Sequence, residues 1–114
     1  MNPVNIAGAE HYGWGDGCDG WHLLKRDDVS IIQERMPPGT KEVRHMHEKA
    51  QQFFFVLEGE ATVEVSGGTV VLRRHEGVHV LPRTPHQFRN EGTSDVVFLV
   101  ISVPQSHGDR VNAP

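Results

Sequence analysis

The sequence predicts an all-β fold, either a sandwich or a barrel, and three observations support this class. Its 114 residues include 12 glycines and 7 prolines, which interrupt the chain about every eight to twelve residues, as turns between short strands do. Strand candidates follow one another between these turns. No segment of about ten or more residues has a clear helical period. We therefore expect a single domain over residues 1–114, with one core.

The first half of the chain contains four strand candidates. Residues 21–24 and 29–36 are expected to be extended, and the PPGT segment at 37–40 then imposes a turn because proline fixes its own backbone angle. Residues 42–47 and 53–57 follow, separated by the polar EKAQ segment. This order predicts short antiparallel strands joined by tight connections.

The second half continues the pattern. Residues 60–65 and 69–74 flank a Ser-Gly-Gly sequence at 66–68, which predicts a hairpin. The last strand candidates are residues 77–82, 86–90 and 95–103. So many strands without a helix favour a closed all-β architecture.

Both termini have open interpretations. Residues 1–28 are expected to form an N-terminal arm and the first strands, where Trp14 and Trp21 either cap the barrel or a dimer partner, or pack in the core. Residues 104–114 form a C-terminal tail, either loop or ordered arm. Its SHGDR segment is either solvated or folded over the barrel mouth, where the tail could clamp an anionic substrate with His107, Asp109 and Arg110.

Composition excludes several classes of function. The formal net charge is −4 and no Lys/Arg cluster occurs, so we expect no nucleic-acid partner. No apolar run approaches the roughly 18 residues that span a membrane, and the N-terminus lacks the pattern of a signal peptide. Cys18 is the only cysteine and has no internal disulfide partner. A cytoplasmic location is the expectation.

Two strand candidates are apolar on both faces. Residues 53–57 and 96–101 carry apolar side chains at odd and even positions alike. One face of each fills the interior, and the other needs a second sheet of the same chain or another subunit to cover it. We expect a homodimer, with the second sheet as the alternative.

A pair of histidines carries the first sign of chemistry. His45 and His47 are two residues apart, so on a strand their side chains project from the same face. A buried imidazole needs a partner, and a divalent metal ion is one that it commonly binds. Exposed strand histidines with this spacing are ordinary, however, so the pair alone is weak evidence.

The surrounding sequence resembles the two motifs of the cupin superfamily. The segment GTKEVRHMHEKAQQFFFVLEG matches the first motif, from Gly39 through His45 and His47 to Gly59. The segment LPRTPHQFRN matches the end of the second motif, at Pro82, His86 and Asn90. The resemblance implies a double-stranded β-helix, or jelly-roll, barrel, with the cupin motifs within residues 36–103.

The same resemblance implies a metal site. Its ligands would be His45, His47, Gln52 and His86, holding one divalent transition metal ion such as Zn, Ni, Fe or Mn. Gln52 stands where the motif has an acid, and Gln51 is the competing amide. The motif also has a glycine-acid pair where this chain has His75-Glu76, and a glycine where it has Arg83.

The neutral Gln52 bears on mechanism. Without a carboxylate ligand the bound ion keeps its full charge and is a stronger Lewis acid. The sequence therefore favours an isomerase- or lyase-type metalloenzyme for a small oxygenated or carboxylate substrate. The alternatives are a cupin dioxygenase at the same site, because cupin thiol dioxygenases use three histidines without a carboxylate, and a non-catalytic binder of a sugar or metabolite. Possible pocket walls, for which core packing is an equal alternative, are Met36, Phe54, Val56, Phe88 and Phe98.

Overall fold

The computed structural model describes residues 1–113, which form eleven β-strands and contain no helix. Their bounds are β1 (Glu10–Trp14), β2 (Cys18–Lys25), β3 (Ser30–Met36), β4 (His45–His47), β5 (Gln51–Glu58), β6 (Ala61–Val65), β7 (Gly68–Leu72), β8 (Gly77–Val80), β9 (His86–Arg89), β10 (Val96–Val103) and β11 (Arg110–Asn112). The strands form two antiparallel sheets, ordered β1-β2-β3-β10-β5-β8 and β11-β4-β9-β6-β7. The predicted all-β class is confirmed.

The core lies between the sheets and follows from strand alternation. Val56 and Phe98 are register partners on β5 and β10, and both side chains are fully buried. Phe98 also stacks on Phe88 of β9, with ring centroids 4.0 Å apart, which joins the two sheets. Met36 at the end of β3 completes this cluster. Each of these side chains contributes roughly 1.5–3 kcal/mol by leaving water.

The outer face of the six-stranded sheet is only partly covered. Phe53 on β5 is 38% exposed, and Phe55, Leu99 and Ile101 beside it are half-buried. The five-stranded sheet packs on the opposite, inner face, so the second-sheet alternative does not account for this apolar surface. The homodimer stays a prediction.

Several turns place residues in the left-handed backbone region. Gly59 has a φ of 81°, and a Cβ there would collide with the backbone oxygen of Asp95, so the position requires glycine. His75 (φ 65°) and Arg83 (φ 60°) adopt the same region without being glycines. These are the two places where the chain departs from glycine in the cupin motif. His75 and Arg83 thus keep the left-handed backbone conformation, and each lowers the free energy of unfolding by roughly 1–2 kcal/mol relative to an unstrained residue.

The C-terminal tail is ordered and extends the second sheet. β11 pairs with β4 in the register Arg110 to His47 and Asn112 to His45. The Asp109 carboxylate accepts hydrogen bonds from the backbone N–H groups of residues 48–50, at 2.9 to 3.2 Å. The segment is therefore held at Asp109, because the polar connection after β4 supplies N–H donors that the carboxylate satisfies, while His107 and Arg110 are exposed to solvent.

The N-terminal residues form a hairpin of β1 and β2 that widens the first sheet. Trp14 packs against the core, whereas Trp21 lies beside His11 with ring centroids 5.3 Å apart. Over residues 1–113 there is no helix with the length and apolar character to cross a bilayer. The cytoplasmic location stays a prediction.

Candidate metal centre

Strands β4 and β9 bring three histidines together. His45 and His47 project from one face of β4, as their spacing predicts, and His86 is the register partner of His45 at the start of β9. Their ring centroids are 4.5 to 5.9 Å apart, and one ring nitrogen from each residue lies within 4.8 Å of those of the other two. All three side chains are buried. This is the spacing that a single ion could bridge.

The environment keeps these imidazoles neutral. Desolvation lowers the pKa of His45 to about 3, with a smaller contribution from neighbouring positive groups. Desolvation and then His86 lower the pKa of His47 to about 4, and desolvation also lowers the pKa of His86. A neutral imidazole has a lone pair to offer a metal ion.

Backbone carbonyls fix which nitrogen carries that lone pair in two of the rings. His45 Nδ1 donates to the Val43 oxygen (2.7 Å), and His86 Nδ1 donates to the Thr84 oxygen (2.9 Å). The Nε2 atoms are therefore the acceptors, and such bonds to ligand histidines orient the ring. His86 Nε2 and His47 Nδ1 are buried without any hydrogen-bond partner.

Gln52, and not Gln51, faces the same space. Gln52 is 6% exposed, and its Oε1 atom is buried without a hydrogen-bond partner. Its Nε2 atom donates to Ser102 Oγ (3.0 Å), which turns the oxygen to the other side of the amide. Gln51 is exposed and its oxygen bonds to His79 Nε2 (2.8 Å) on the outer face. A set of neutral imidazoles and one amide oxygen, in which His47 Nδ1, His86 Nε2 and Gln52 Oε1 are buried without partners, fits a divalent transition metal ion.

His45 and His47 open onto a cavity of about 770 Å³ between the two sheets. Of the predicted pocket walls, Phe54 lines this cavity. The other four belong to the core, because they lie farther along the strands where the sheets close on each other: Met36, Val56, Phe88 and Phe98. For these four, core packing was the correct interpretation.

The C-terminal tail contributes to the cavity wall. His107 and Arg110 line it, and Arg110 Nη2 donates to the Val43 oxygen at 3.2 Å. The Arg110 guanidinium also acts on the site electrostatically, since it contributes to the lowered pKa values of His45, His47 and His86. A fixed positive charge therefore stands near the histidines.

Several further polar residues of the cavity wall were missed from the sequence, among them Tyr12, Glu34 and Glu42. Glu34 had a usable signal, because it lies between Ile32 and Met36 on the face of β3 that these apolar side chains share. Glu42 had none, because on the strand predicted over residues 42–47 it would face away from His45 and His47, whereas β4 begins only at His45 and the backbone before it is irregular. Tyr12 lies on a strand that the sequence pattern did not indicate.

Comparison with known proteins agrees with this geometry. The family model of the cupin domain matches residues 32–102, more than half of the chain. The chain belongs to the cupin family. The predicted double-stranded β-helix is thereby confirmed, and the cupin match contains all four of the predicted metal ligands.

Several known proteins align with most of the length of this cupin. The uncharacterized protein MJ1618 of Methanocaldococcus jannaschii is 26% identical over 89 residues, which is 77% of this chain and 71% of that protein. The polyketide cyclase RemF of Streptomyces resistomycificus matches 100% of this chain and 86% of its own, with a TM-score of 0.84 and 18% identity. A sugar phosphate isomerase from Silicibacter pomeroyi matches 90% and 75%, with a TM-score of 0.77 and 21% identity. At these identities the two structures establish the fold.

Proposed function

We propose that this cupin is a metal-dependent enzyme that acts on a small oxygenated or carboxylate substrate by isomerase- or lyase-type chemistry. The observation that supports this most directly is the grouping of three neutral imidazoles, two of which line one cavity together with Gln52, whose amide oxygen is unpartnered. His45, His47, Gln52 and His86 would hold one divalent transition metal ion such as Zn, Ni, Fe or Mn.

The charge of this ligand set favours Lewis-acid chemistry. All four side chains are neutral, so no ligand charge offsets that of the cation. When bound, such an ion supplies a strong positive charge that polarises a carbonyl or acidifies a water molecule. The two-histidine, one-carboxylate set of many non-haem iron oxygenases is absent from these four positions.

The other cavity residues support the substrate class. A volume of about 770 Å³ suits a small organic molecule. Arg110 offers a planar set of N–H donors, which recognises carboxylates well. Two similar structures, a polyketide cyclase and a sugar phosphate isomerase, are named for reactions of oxygen-containing carbon compounds.

Metal analysis tests the site. We expect the purified protein to retain about one metal ion per chain, His47→Ala to lose it, and His79→Ala to keep it. His79 is the matched control because it is a strand histidine bonded to Gln51 on the outer face. Unfolding curves followed by circular dichroism should show that both variants are folded before denaturation. Tight stoichiometric metal in His47→Ala would refute the proposed site.

Turnover under air and under argon tests the chemistry. The metal-loaded protein would be incubated with a panel of small hydroxy acids, oxo acids and sugars, and products followed by proton NMR. We expect the same rate in both atmospheres. Turnover that requires oxygen would instead support the dioxygenase alternative, and saturable binding without turnover would support a non-catalytic binder.

A further inference from the structure

Tyr12, Gly20 and Glu34 form one row across three neighbouring strands. Tyr12 of β1 pairs with Gly20 of β2, and Gly20 pairs with Glu34 of β3. The Tyr12 hydroxyl donates a 2.7 Å hydrogen bond to Glu34 Oε2, reaching over the strand between them. A Cβ on residue 20 would collide with the phenol ring of Tyr12, so glycine leaves the space through which the ring passes.

This pair faces the histidines across the cavity. Tyr12 and Glu34 line the same cavity as His45 and His47, but they belong to the six-stranded sheet, whereas β4 belongs to the five-stranded sheet. A molecule bound between the sheets therefore has the histidines on one side and the Glu34 carboxyl on the other. Nothing in the metal site requires a carboxyl at this position.

Protein surroundings set the charge state of the pair. Desolvation raises the pKa of Glu34 to about 7, and the Tyr12 hydrogen bond works against that rise. Desolvation, and then the negative charge of Glu34, raise the pKa of Tyr12 well above its usual range, so the phenol remains a donor. Near neutral pH both the acid and the carboxylate of Glu34 are populated, which suits a group that must accept and return a proton.

We propose that Glu34, oriented by Tyr12 across Gly20, is the catalytic acid–base residue of the cavity and that the substrate is a carbon acid. A carbon acid here means a small molecule with a C–H bond next to a carbonyl group. This rests on the proposed function, because it deepens the substrate class of the same cavity.

The proton transfer balances without any further reactant. The Glu34 carboxylate takes the proton from the carbon, the C–H electron pair becomes the new C=C bond, and the carbonyl π pair moves onto its oxygen. The products of this step are an enolate and a neutral Glu34. Return of the same proton to another atom of the enolate restores the carboxylate, so the net reaction is an isomerisation.

The other titratable groups that face Glu34 are less suited. Glu42 is already engaged by the backbone, because it accepts a 2.9 Å hydrogen bond from the Phe88 N–H, and desolvation raises its pKa to about 8. His22, with its ring 5.1 Å from that of Tyr12, has a pKa lowered by desolvation. Cys18 is buried, and desolvation raises the pKa of its thiol.

A titration of the metal-free protein tests the pair without any substrate. Side-chain carboxyl signals of 13C-labelled glutamate would be followed by NMR across pH 4 to 10. We expect one signal that titrates near pH 7, is absent in Glu34→Gln, and moves to higher pH in Tyr12→Phe, because the lost hydrogen bond favoured the ionised form. A Glu34 signal that titrates near the ordinary value of about 4.3 would overturn the proposal.

Hydrogen exchange tests the chemistry with defined probes. The metal-loaded protein would be incubated in deuterated water with pyruvate and with dihydroxyacetone, and loss of the C–H signals measured by NMR. We expect the exchange rate to fall at least about 100-fold in Glu34→Gln and by a smaller factor in Glu42→Gln. The rate should not fall in Glu58→Gln, because Glu58 is an exposed glutamate of β5. Metal content of each variant would be measured alongside.

The outcomes separate the two proposals. Wild-type protein that binds no metal contradicts the proposed function. Metal-loaded protein that exchanges neither probe, or exchange that Glu34→Gln retains, contradicts only the acid–base proposal. A loss in Glu42→Gln that equals or exceeds that in Glu34→Gln also contradicts it. If the exchange-against-pH profile of the wild type lies at lower pH than that of Tyr12→Phe, the result supports Tyr12 as the positioning residue.

Discussion

Replacing Ser102 by alanine tests whether Gln52 is a metal ligand without touching any ligand. Ser102 is 1% exposed and is the register partner of Gln52 across β10 and β5. Its Oγ atom accepts the only hydrogen bond that the structure gives the Gln52 amide nitrogen within residues 1–113. That bond determines which end of the amide faces the histidines. In Ser102→Ala the oxygen is no longer held in place.

The expected loss follows from known effects of such supporting bonds. Removing the partner of a metal ligand lowers metal affinity about 10- to 100-fold, which corresponds to about 1.4–2.7 kcal/mol. The buried amide nitrogen also loses its acceptor, so the metal-free protein should lose about 1–3 kcal/mol of unfolding free energy. The two losses are separable, because the first is measured as binding to the folded protein.

Competition with a fluorescent zinc chelator gives the affinity, and urea denaturation gives the stability. Ser30→Ala is the matched control, since Ser30 is buried and pairs with Ser102 on its other side, one strand farther from Gln52. We expect Ser30→Ala to bind zinc within about twofold of the wild type. If Ser102→Ala binds zinc as tightly as the wild type and Ser30→Ala do, the Gln52 oxygen is not a ligand and the reasoning fails.

Three stability predictions follow from contacts outside the histidine cluster. Asp109→Ala should lower the free energy of unfolding by about 1–2 kcal/mol at pH 7, because three backbone N–H groups of residues 48–50 lose a charged acceptor. Desolvation works to raise the pKa of Asp109, but these bonds outweigh it and lower the pKa, so the stabilisation exists above the unfolded value of about 3.9 and is lost as pH falls through the folded value. Thermal melts at pH 7 and pH 3 should therefore show a difference from wild type that is smaller at pH 3. Arg83→Gly should change stability by between zero and a gain of about 1 kcal/mol, since relief of the left-handed backbone is offset by a more flexible unfolded chain; a clear loss in urea denaturation would contradict this. Asn90→Ala should lower the free energy of unfolding by about 3 kcal/mol in urea denaturation, because its buried side chain makes three hydrogen bonds of 2.9 Å to backbone groups. A loss below about 1 kcal/mol would show that water replaces these bonds.

Strand alternation explains how much of the site could be predicted from the sequence. His45 and His47 follow from counting positions on one strand, whereas the resemblance to the cupin motif implied Gln52, and the structure buries all three side chains. His86 lies far along the chain, and only the motif connected it with the others. The structure confirms the three histidines as a group that could hold a metal ion.

The residues that were missed depend on neighbours in space. Tyr12 reaches Glu34 only because β1 and β3 flank the same strand, a relation that no local pattern contains. Arg110 was named from the sequence as one alternative for the tail, and it lines the cavity in a tail that Asp109 holds against the turn after β4. The pocket prediction failed for Met36, Val56, Phe88 and Phe98 because alternation identifies the inner face of a strand but not where along it the sheets separate.

The passage of the Tyr12 ring over Gly20 has an evolutionary consequence. A side chain at residue 20 and an aromatic ring at residue 12 exclude each other, so neither position can drift alone while Glu34 keeps its partner. Among cupin sequences, glycine at the position of Gly20 should accompany tyrosine at the position of Tyr12 and glutamate at that of Glu34. Lineages that have lost the tyrosine should carry larger residues at the glycine position, so this triplet would mark the cupins that share the chemistry of this cavity.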